Sequence, residues 1–372
     1  MLPGYIGRRI SKAVEQREAE LATLRSPDDW HKRQQATRER LEAIFGSYGP
    51  RTPLNARIVG TIDRTECVIE KLVFESQPGY YCTANFYVPK DRQFPRPGVL
   101  FTCGHAVDGK AAHLYHECCL GLATKGYVVL ALDPTGQGER LEYFDPETGE
   151  PLVPPCVSHH HYLARPSWLV GRSLAGYRTW DCTRAVDYLV DRKEVDRDKI
   201  AVVGNSGGGI MALLITAFDE RIKVCAAAHP GGSMEQTFLA GKRIAEADIL
   251  SLIPPRPCLM VVGRDSGEES GHRAKMANMF PFYEGLGVSA DRCQMALVDG
   301  VYNMEQPKRE PCYGWLNKWF DCEEEGSKEP PLEPETVEAL RCTKTGYTLR
   351  DLGSESGQTL NAKAARRIRP PR

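Results

Sequence analysis

Apolar and polar positions divide the chain into three parts. Over residues 1–50 apolar residues are sparse among Glu, Arg and Ala, and Ser11–Leu24 and Asp28–Phe45 read as two amphipathic helices, a helical lead-in packed on the main body. From 51 to 325 short apolar runs alternate with helix-like segments. Glu66–Phe74 alternates, Tyr80–Val88 is aromatic and β-branched, and Gln77-Pro78-Gly79 between them is a turn, so this pair predicts an antiparallel hairpin. Gly98–Cys103, Tyr127–Leu132, Ile200–Val203, Val224–Ala228, Cys258–Gly263 and Gln294–Val298 are continuous apolar runs, the pattern of strands buried on both faces. Helices are expected at His113–Lys125, Ser173–Arg192, Ile210–Phe218, Lys275–Leu286 and Gln306–Phe320. Strands alternating with helices predict an α/β fold with a mainly parallel, doubly wound sheet, in which ligands gather at the carboxyl ends of the strands. Residues 141–172, with prolines at 151, 154, 155 and 166, interrupt the alternation and are expected to form a cap over that edge. Residues 326–372 are polar and Pro/Glu-rich and read as a tail.

Charge and cysteine usage narrow the picture. The 372 residues suffice for a large core, and 48 basic against 49 acidic residues leave a net charge of −1. Neither nucleic acid nor an anionic membrane surface is an expected partner. The basic stretch Lys363–Arg372 reads as a solvated tail. Thirteen cysteines, an odd number without C-x-x-C spacing, mostly sit in apolar runs, as small buried hydrophobes in a reducing compartment do. Met1–Glu20 is polar, and no stretch reaches the ~18 apolar residues of a membrane span. A cytoplasmic location is expected, unless a signal segment has been removed; the oligomeric state is left open.

The candidate chemistry centres on Gly204-Asn205-Ser206-Gly207-Gly208. A serine between glycines, after a β-branched strand and before an apolar helix, is the pattern of a nucleophile elbow. Side chains at 204 and 208 are expected to collide with neighbouring backbone, Ser206 to be held in a strained conformation, and the Gly207 amide to face a developing oxyanion. Gly104-His105-Ala106, after the Gly98–Cys103 strand, would complete that hole with amides near His105 and Ala106. The same stretch reads through Gly109-Lys110 as most of a phosphate-binding loop, but residue 111 is Ala where that loop needs a hydroxyl. Asp133 through Arg140 reads as a structural loop, with Arg140 tied to Asp133, or as a wall of the site.

An acid is expected after a strand beyond the elbow, here Cys258–Gly263. Asp265 holds that place, with Glu268, Glu269 and Asp299 as competitors. The base is missing where it should be: after Gln294–Val298 stands Tyr302, and no histidine occurs beyond His272. His229, just past Val224–Ala228, reads equally as a base facing the site or as a structural histidine. His159–His161 in the cap read as solvated, because adjacent histidines do not readily point at one metal ion; no metal is expected.

Taken together, several blocks resemble one family: Glu70 through Ser76, Gly104-His105 with Gly109-Lys110, Asp133 through Arg140, Arg184 through Leu189, and Gly204 through Gly209. From about Arg51 to Phe320 the chain resembles the acetyl xylan esterase-like branch of the α/β-hydrolase superfamily, near the dienelactone-hydrolase-like enzymes. The resemblance implies a cofactor-free serine esterase acting on acylated carbohydrates or other small esters, with Ser206 as nucleophile, Asp265 as acid and Tyr302 where the family has its histidine. It leaves two functions to distinguish: a carboxylic ester hydrolase working through a Ser206 acyl-enzyme, or a catalytically impaired relative serving as a binding module.

Overall fold

The computed structural model describes residues 2–45, 50–145, 147–231, 244–300 and 302–368. Part of the basic Lys363–Arg372 stretch lies outside the described residues. Two helices lead in, α1 (Leu2–Leu21) and α2 (Pro27–Phe45). The strands are β1 (Arg57–Asp63), β2 (Cys67–Gln77), β3 (Tyr80–Pro89), β4 (Arg96–Thr102), β5 (Val128–Leu132), β6 (Val195–Asn205), β7 (Ile222–Ala228), β8 (Cys258–Gly263) and β9 (Cys293–Val298). They form one sheet in the order β1-β2-β3-β5-β4-β6-β7-β8-β9. Pairing is antiparallel from β1 to β5 and parallel from β5 to β9.

Helices cover both faces. On one, α5 (Leu174–Asp191), α6 (Gly207–Phe218) and the end of α2 pack through Leu41, Val186, Leu189, Leu213 and Ile215. On the other, α3 (His113–Thr124) and a helix at Gln306–Phe320 pack through Leu120, Leu122, Tyr313 and Leu316. Burying each such aliphatic side chain contributes about 1.5–3 kcal/mol before entropy is charged against it. The α6 helix is buried along its whole length except Phe218, so it has no solvent face for polar residues to mark. The crossover through α3 runs to one side of β4 and the crossover through α5 to the other. The carboxyl ends of β4 and β6 therefore open on the crevice where the winding reverses.

Four expectations are revised. Strand β1 escaped sequence reading because it is an edge strand with no buried residue, so nothing imposes alternation on it. Lys275–Leu286 is not one helix: Glu269–Ala277 and Phe280–Gly285 are separate, with Pro281 at the start of the second. The polar segment after residue 325 is docked, as far as residue 368, rather than loose. Leu340 is fully buried, Glu139 accepts from the Cys342 and Thr343 amides at 2.8 and 2.7 Å, and Glu142 accepts from the Gly357 amide at 2.8 Å. In the 141–172 insertion, α4 (Val157–Leu169) lies against the helix at Gly357–Ala365, and His159 and His160 are buried rather than solvated; only His161 of the three is exposed.

Candidate active site

The turn after β6 has the strain its composition implies. Ser206 sits at φ 57°, ψ −123°, a region that costs a non-glycine residue about 1–3 kcal/mol. A Cβ on Gly204 would lie 2.5 Å from the Gly208 carbonyl oxygen, and one on Gly208 would lie 2.0 Å from the Thr102 carbonyl oxygen. Only glycine allows this approach of β4, β6 and α6. Register does the rest: Thr102 pairs with Gly204 and Asn205 with Ala228, so the segments after β4, β6 and β7 emerge side by side. Ser206 N donates to Ala228 O at 2.9 Å. Gly207 is the first residue of α6, where an amide has no intrahelical acceptor.

The loop after β4 is held from behind by residues whose importance the sequence did not declare. Buried Gln137 donates through Nε2 to Gly104 O at 2.7 Å and to Ala106 O at 3.1 Å. Fastening the Gly104 carbonyl on one side turns the His105 amide of the same peptide plane to the other. Lys110 rules out the phosphate-loop reading. Its Nζ is buried between Asp133 (2.8 Å) and Glu139 (2.6 Å), and its amide donates to Asp133 at 2.8 Å. Arg140 reaches only the Asp133 main-chain oxygen; its ionic partner is Asp181 at 2.7 Å.

The expected acid and base are placed differently from the simplest reading. Asp265 lies exposed on a 3-10 turn after β8. Glu268 instead reaches His229, accepting from Nδ1 at 2.9 Å, and stands 3.4 Å from His272 Nε2. His229 is fully buried, and its Nε2 accepts from the Gly263 amide at 3.1 Å. An amide can only donate, so Nε2 holds the lone pair and Nδ1 the proton that Glu268 receives. Both ring nitrogens are thereby committed, and neither faces Ser206. Burial pushes the His229 pKa down, against the opposing pull of Glu268.

The donor-capable atoms of His229, Glu268 and His272 lie within 4.8 Å of one another. The His229 proton lies on Nδ1, the very nitrogen that faces Glu268, so the set suits a carboxylate–histidine hydrogen bond better than an ion.

Tyr302 is brought to the nucleophile. Its hydroxyl donates to Ser206 Oγ in a short hydrogen bond, and its ring lies 4.7 Å from that of His229. Although Tyr302 is partly exposed, partial desolvation raises its pKa above the ordinary phenol value, so it is a donor at neutral pH. His105, on the loop, is the other ring at the elbow. A Cβ on Gly207 would lie 2.7 Å from His105 Cε1 and 3.0 Å from Nδ1. His105 Nε2 is 3.3 Å from His160 Nδ1, and His160 Nε2 is 2.9 Å from Thr135 O. Sequence reading placed His105 in the oxyanion loop by its backbone; the link to the cap needed the fold.

A mostly parallel sheet with a strained serine between β6 and α6, flanked by the loop after β4, defines an α/β-hydrolase. Residues 60–234 match the acetyl xylan esterase (AXE1) family model. YtaP of Bacillus subtilis (strain 168), which carries the name of a hydrolase, is 28% identical over 251 residues, 61% of this chain and 79% of that protein. Hydrolase phmG of Phaeosphaeria nodorum is 33% identical over 156 residues, 41% of this chain but only 28% of that protein. Among solved structures, methylesterase BT1017 superposes with TM-score 0.71 at 18% identity, covering 94% of this chain and 79% of the other. A glucuronoyl esterase from Solibacter usitatus gives 0.61 at 15% identity, covering 80% and 94%. At such identities the solved structures speak for the fold. Together with the family match over residues 60–234, they support an α/β-hydrolase similar to the acetyl xylan esterases and a carboxylic ester hydrolase activity.

Proposed function

We propose that the protein hydrolyses small carboxylic esters, acetylated carbohydrates foremost, through a Ser206 acyl-enzyme without a cofactor. The observation that carries this is Ser206 itself, strained at φ 57° with its hydroxyl at the carboxyl edge of the sheet. Strain of this kind persists only where the surrounding structure enforces it, and it presents the oxygen for attack. In the reaction, Oγ bonds to the acyl carbon and the carbonyl electrons move to oxygen. That oxyanion would be met by the Gly207 amide and by amides of the 104–106 loop. Collapse breaks the bond to the alcohol, which leaves with a proton, and water then releases the acid from Ser206.

Carbohydrate esters are favoured because the matching family model and one of the similar structures carry the names acetyl xylan esterase and glucuronoyl esterase. The non-catalytic alternative finds no support in the comparisons. A cytoplasmic setting belongs to the same proposal, supported by thirteen free cysteines, most of them buried. The test uses a fluorophosphonate probe with a panel of acetylated sugars and aryl acetates. Wild type should be labelled and turn over at least one ester, and Ser206→Ala should lose labelling and fall to the small residual rate of an intact oxyanion hole. Undiminished turnover by Ser206→Ala would refute the assignment.

A further inference from the structure

We propose that His105 is the general base of this enzyme, its Nδ1 accepting the Ser206 proton while His160 orients it. The inference rests on Ser206 being the nucleophile and concerns what activates it. A neutral serine hydroxyl needs a proton acceptor, and the position after β9 that should supply one carries a phenol that donates. All nine histidines lie among the described residues, so the acceptor can be sought ring by ring. His229 is occupied on both nitrogens, by the Gly263 amide and Glu268. His272 is directed at Glu268 through Nε2. His159 Nε2 accepts from the Glu142 amide, and His116 pairs with Tyr87 on the far helix α3. His31 is on α2, His113 beside Glu117, and His161 on the outer face of the cap.

His105 remains, and its tautomer can be read from its neighbours. The Thr135 carbonyl only accepts, so His160 Nε2 carries a proton, and neutral His160 offers a lone pair at Nδ1. His105 must then donate to it through Nε2–H, which leaves the lone pair on His105 Nδ1. That nitrogen makes no hydrogen bond among the described residues, and its ring is packed against Gly207, the neighbour of the nucleophile. Because Tyr302 donates to Ser206 Oγ, the serine's own hydrogen is free to turn to a second partner. The chain from Thr135 O through His160 to His105 thus has the logic of a nucleophile, a base and an orienting group, with a neutral imidazole where a carboxylate usually stands. The Ser206 proton passes to Nδ1 as the oxygen–carbon bond forms, and the same proton goes to the departing alcohol. In deacylation Nδ1 takes a proton from water and returns it to Ser206 Oγ. His160 is a positioning residue.

This arrangement has a pH signature. The titratable or charged groups around His105 are His160 from α4, Arg178 from α5, Tyr115 from α3 beside Gly104, and Tyr302 across Ser206. Among the described residues no carboxylate is one of them. His105 keeps an exposed edge, but desolvation of its packed ring, and then the Arg178 charge, lower its pKa to about 4, so the base stays unprotonated into mild acid.

The experiment measures kcat and KM for an aryl acetate from pH 3.5 to 9 in wild type, His105→Gln, His105→Ala, His229→Gln and Tyr302→His. Wild-type kcat should rise through pH ~4 and show no step near the ordinary histidine value of about 6.5. His105→Gln should lower kcat by about 10²–10⁴-fold with KM little changed. His105→Ala should be partly restored by added 4-methylimidazole, a rescue that loss of a structural residue does not show. Tyr302→His should introduce a step near the ordinary histidine value, and His229→Gln should leave the pH 4 inflection where it is. An active wild type with a step near 6.5, or normal kcat in His105→Gln, would overturn this inference while leaving Ser206 standing. Turnover that survives Ser206→Ala would overturn the underlying reading instead.

Discussion

Replacing Lys110 by methionine should destabilise the protein severely, and the size can be worked from its surroundings. Lys110 Nζ, Asp133 and Glu139 are each at most 5% exposed, and the ammonium lies 2.8 and 2.6 Å from the two carboxylates. Methionine fills a similar volume and removes the cation that touches both. Removing one partner of a buried ion pair costs about 3–5 kcal/mol, because the remaining charge is left desolvated. Here two like charges remain. The donors that stay on them limit the damage: the Thr83 hydroxyl and the residue-110 amide on Asp133, the Cys342 and Thr343 amides on Glu139.

The expected loss at pH 7 is therefore about 3–5 kcal/mol. Burial pushes Glu139 up, but the Lys110 charge and hydrogen bonds more than offset it, so its pKa lies below the ordinary glutamate value. A depressed carboxylate contributes stability above its unfolded pKa and loses it as pH falls through the folded one. The gap between wild type and Lys110→Met should accordingly be full above the ordinary glutamate pKa of about 4.3 and shrink below it. Urea unfolding tracked by both circular dichroism and tryptophan fluorescence measures the gap and shows whether unfolding is a single transition. Limited proteolysis should also open the chain near Cys342, which hangs from Glu139. A loss under about 1 kcal/mol would refute the reasoning from burial and pairing.

Two further variants probe the machinery around Ser206. Gly208→Ala would place a Cβ 2.0 Å from the Thr102 carbonyl oxygen, so backbone must move; we expect loss of fluorophosphonate labelling together with a lowered melting temperature, and a normally labelled, equally stable variant would argue against the tight elbow. Gln137→Met should leave the Gly104 carbonyl without its side-chain donor, and Ala106 O with the Gly109 amide alone, and loosen the oxyanion loop. Its kcat on an aryl acetate should fall by up to the about 10²–10³-fold associated with a lost oxyanion donor, with KM little affected, and an unchanged kcat would show that the loop holds its shape without Gln137.

Much of this protein is determined by the chain read on its own. The short continuous apolar runs at Val128–Leu132, Ile200–Val203 and Cys258–Gly263 read as strands buried on both faces, set apart by their brevity and β-branched residues from the longer, equally apolar run that forms α6. The elbow was equally legible as a Gly-x-Ser-x-Gly pattern between a β-branched strand and an apolar helix, although the Thr102 carbonyl that Gly208 makes room for lies far away in sequence. Edge strand β1 was not, because an unburied strand puts no pattern on its side chains. Nor was the docking of residues 326–368, which depends on hydrogen bonds to Glu139 and Glu142 far away in sequence.

The acid and base positions show the boundary most clearly. Strand order could nominate Asp265 and His229, but a loop a few residues long can swing either away, and the structure turns Glu268 to His229 and leaves Asp265 in solvent. Which nitrogen of a histidine holds its proton is decided by the nearest obligate donor or acceptor. For His229 that is the Gly263 amide, and for His160 the Thr135 carbonyl, main-chain groups that look alike at every position of a sequence. Residue types and spacing therefore specify the sheet and the nucleophile's turn, where the constraints are local. The proton path at the site is set by the tertiary structure, because it is fixed by the direction in which backbone groups from β8 and the 133–140 loop happen to point.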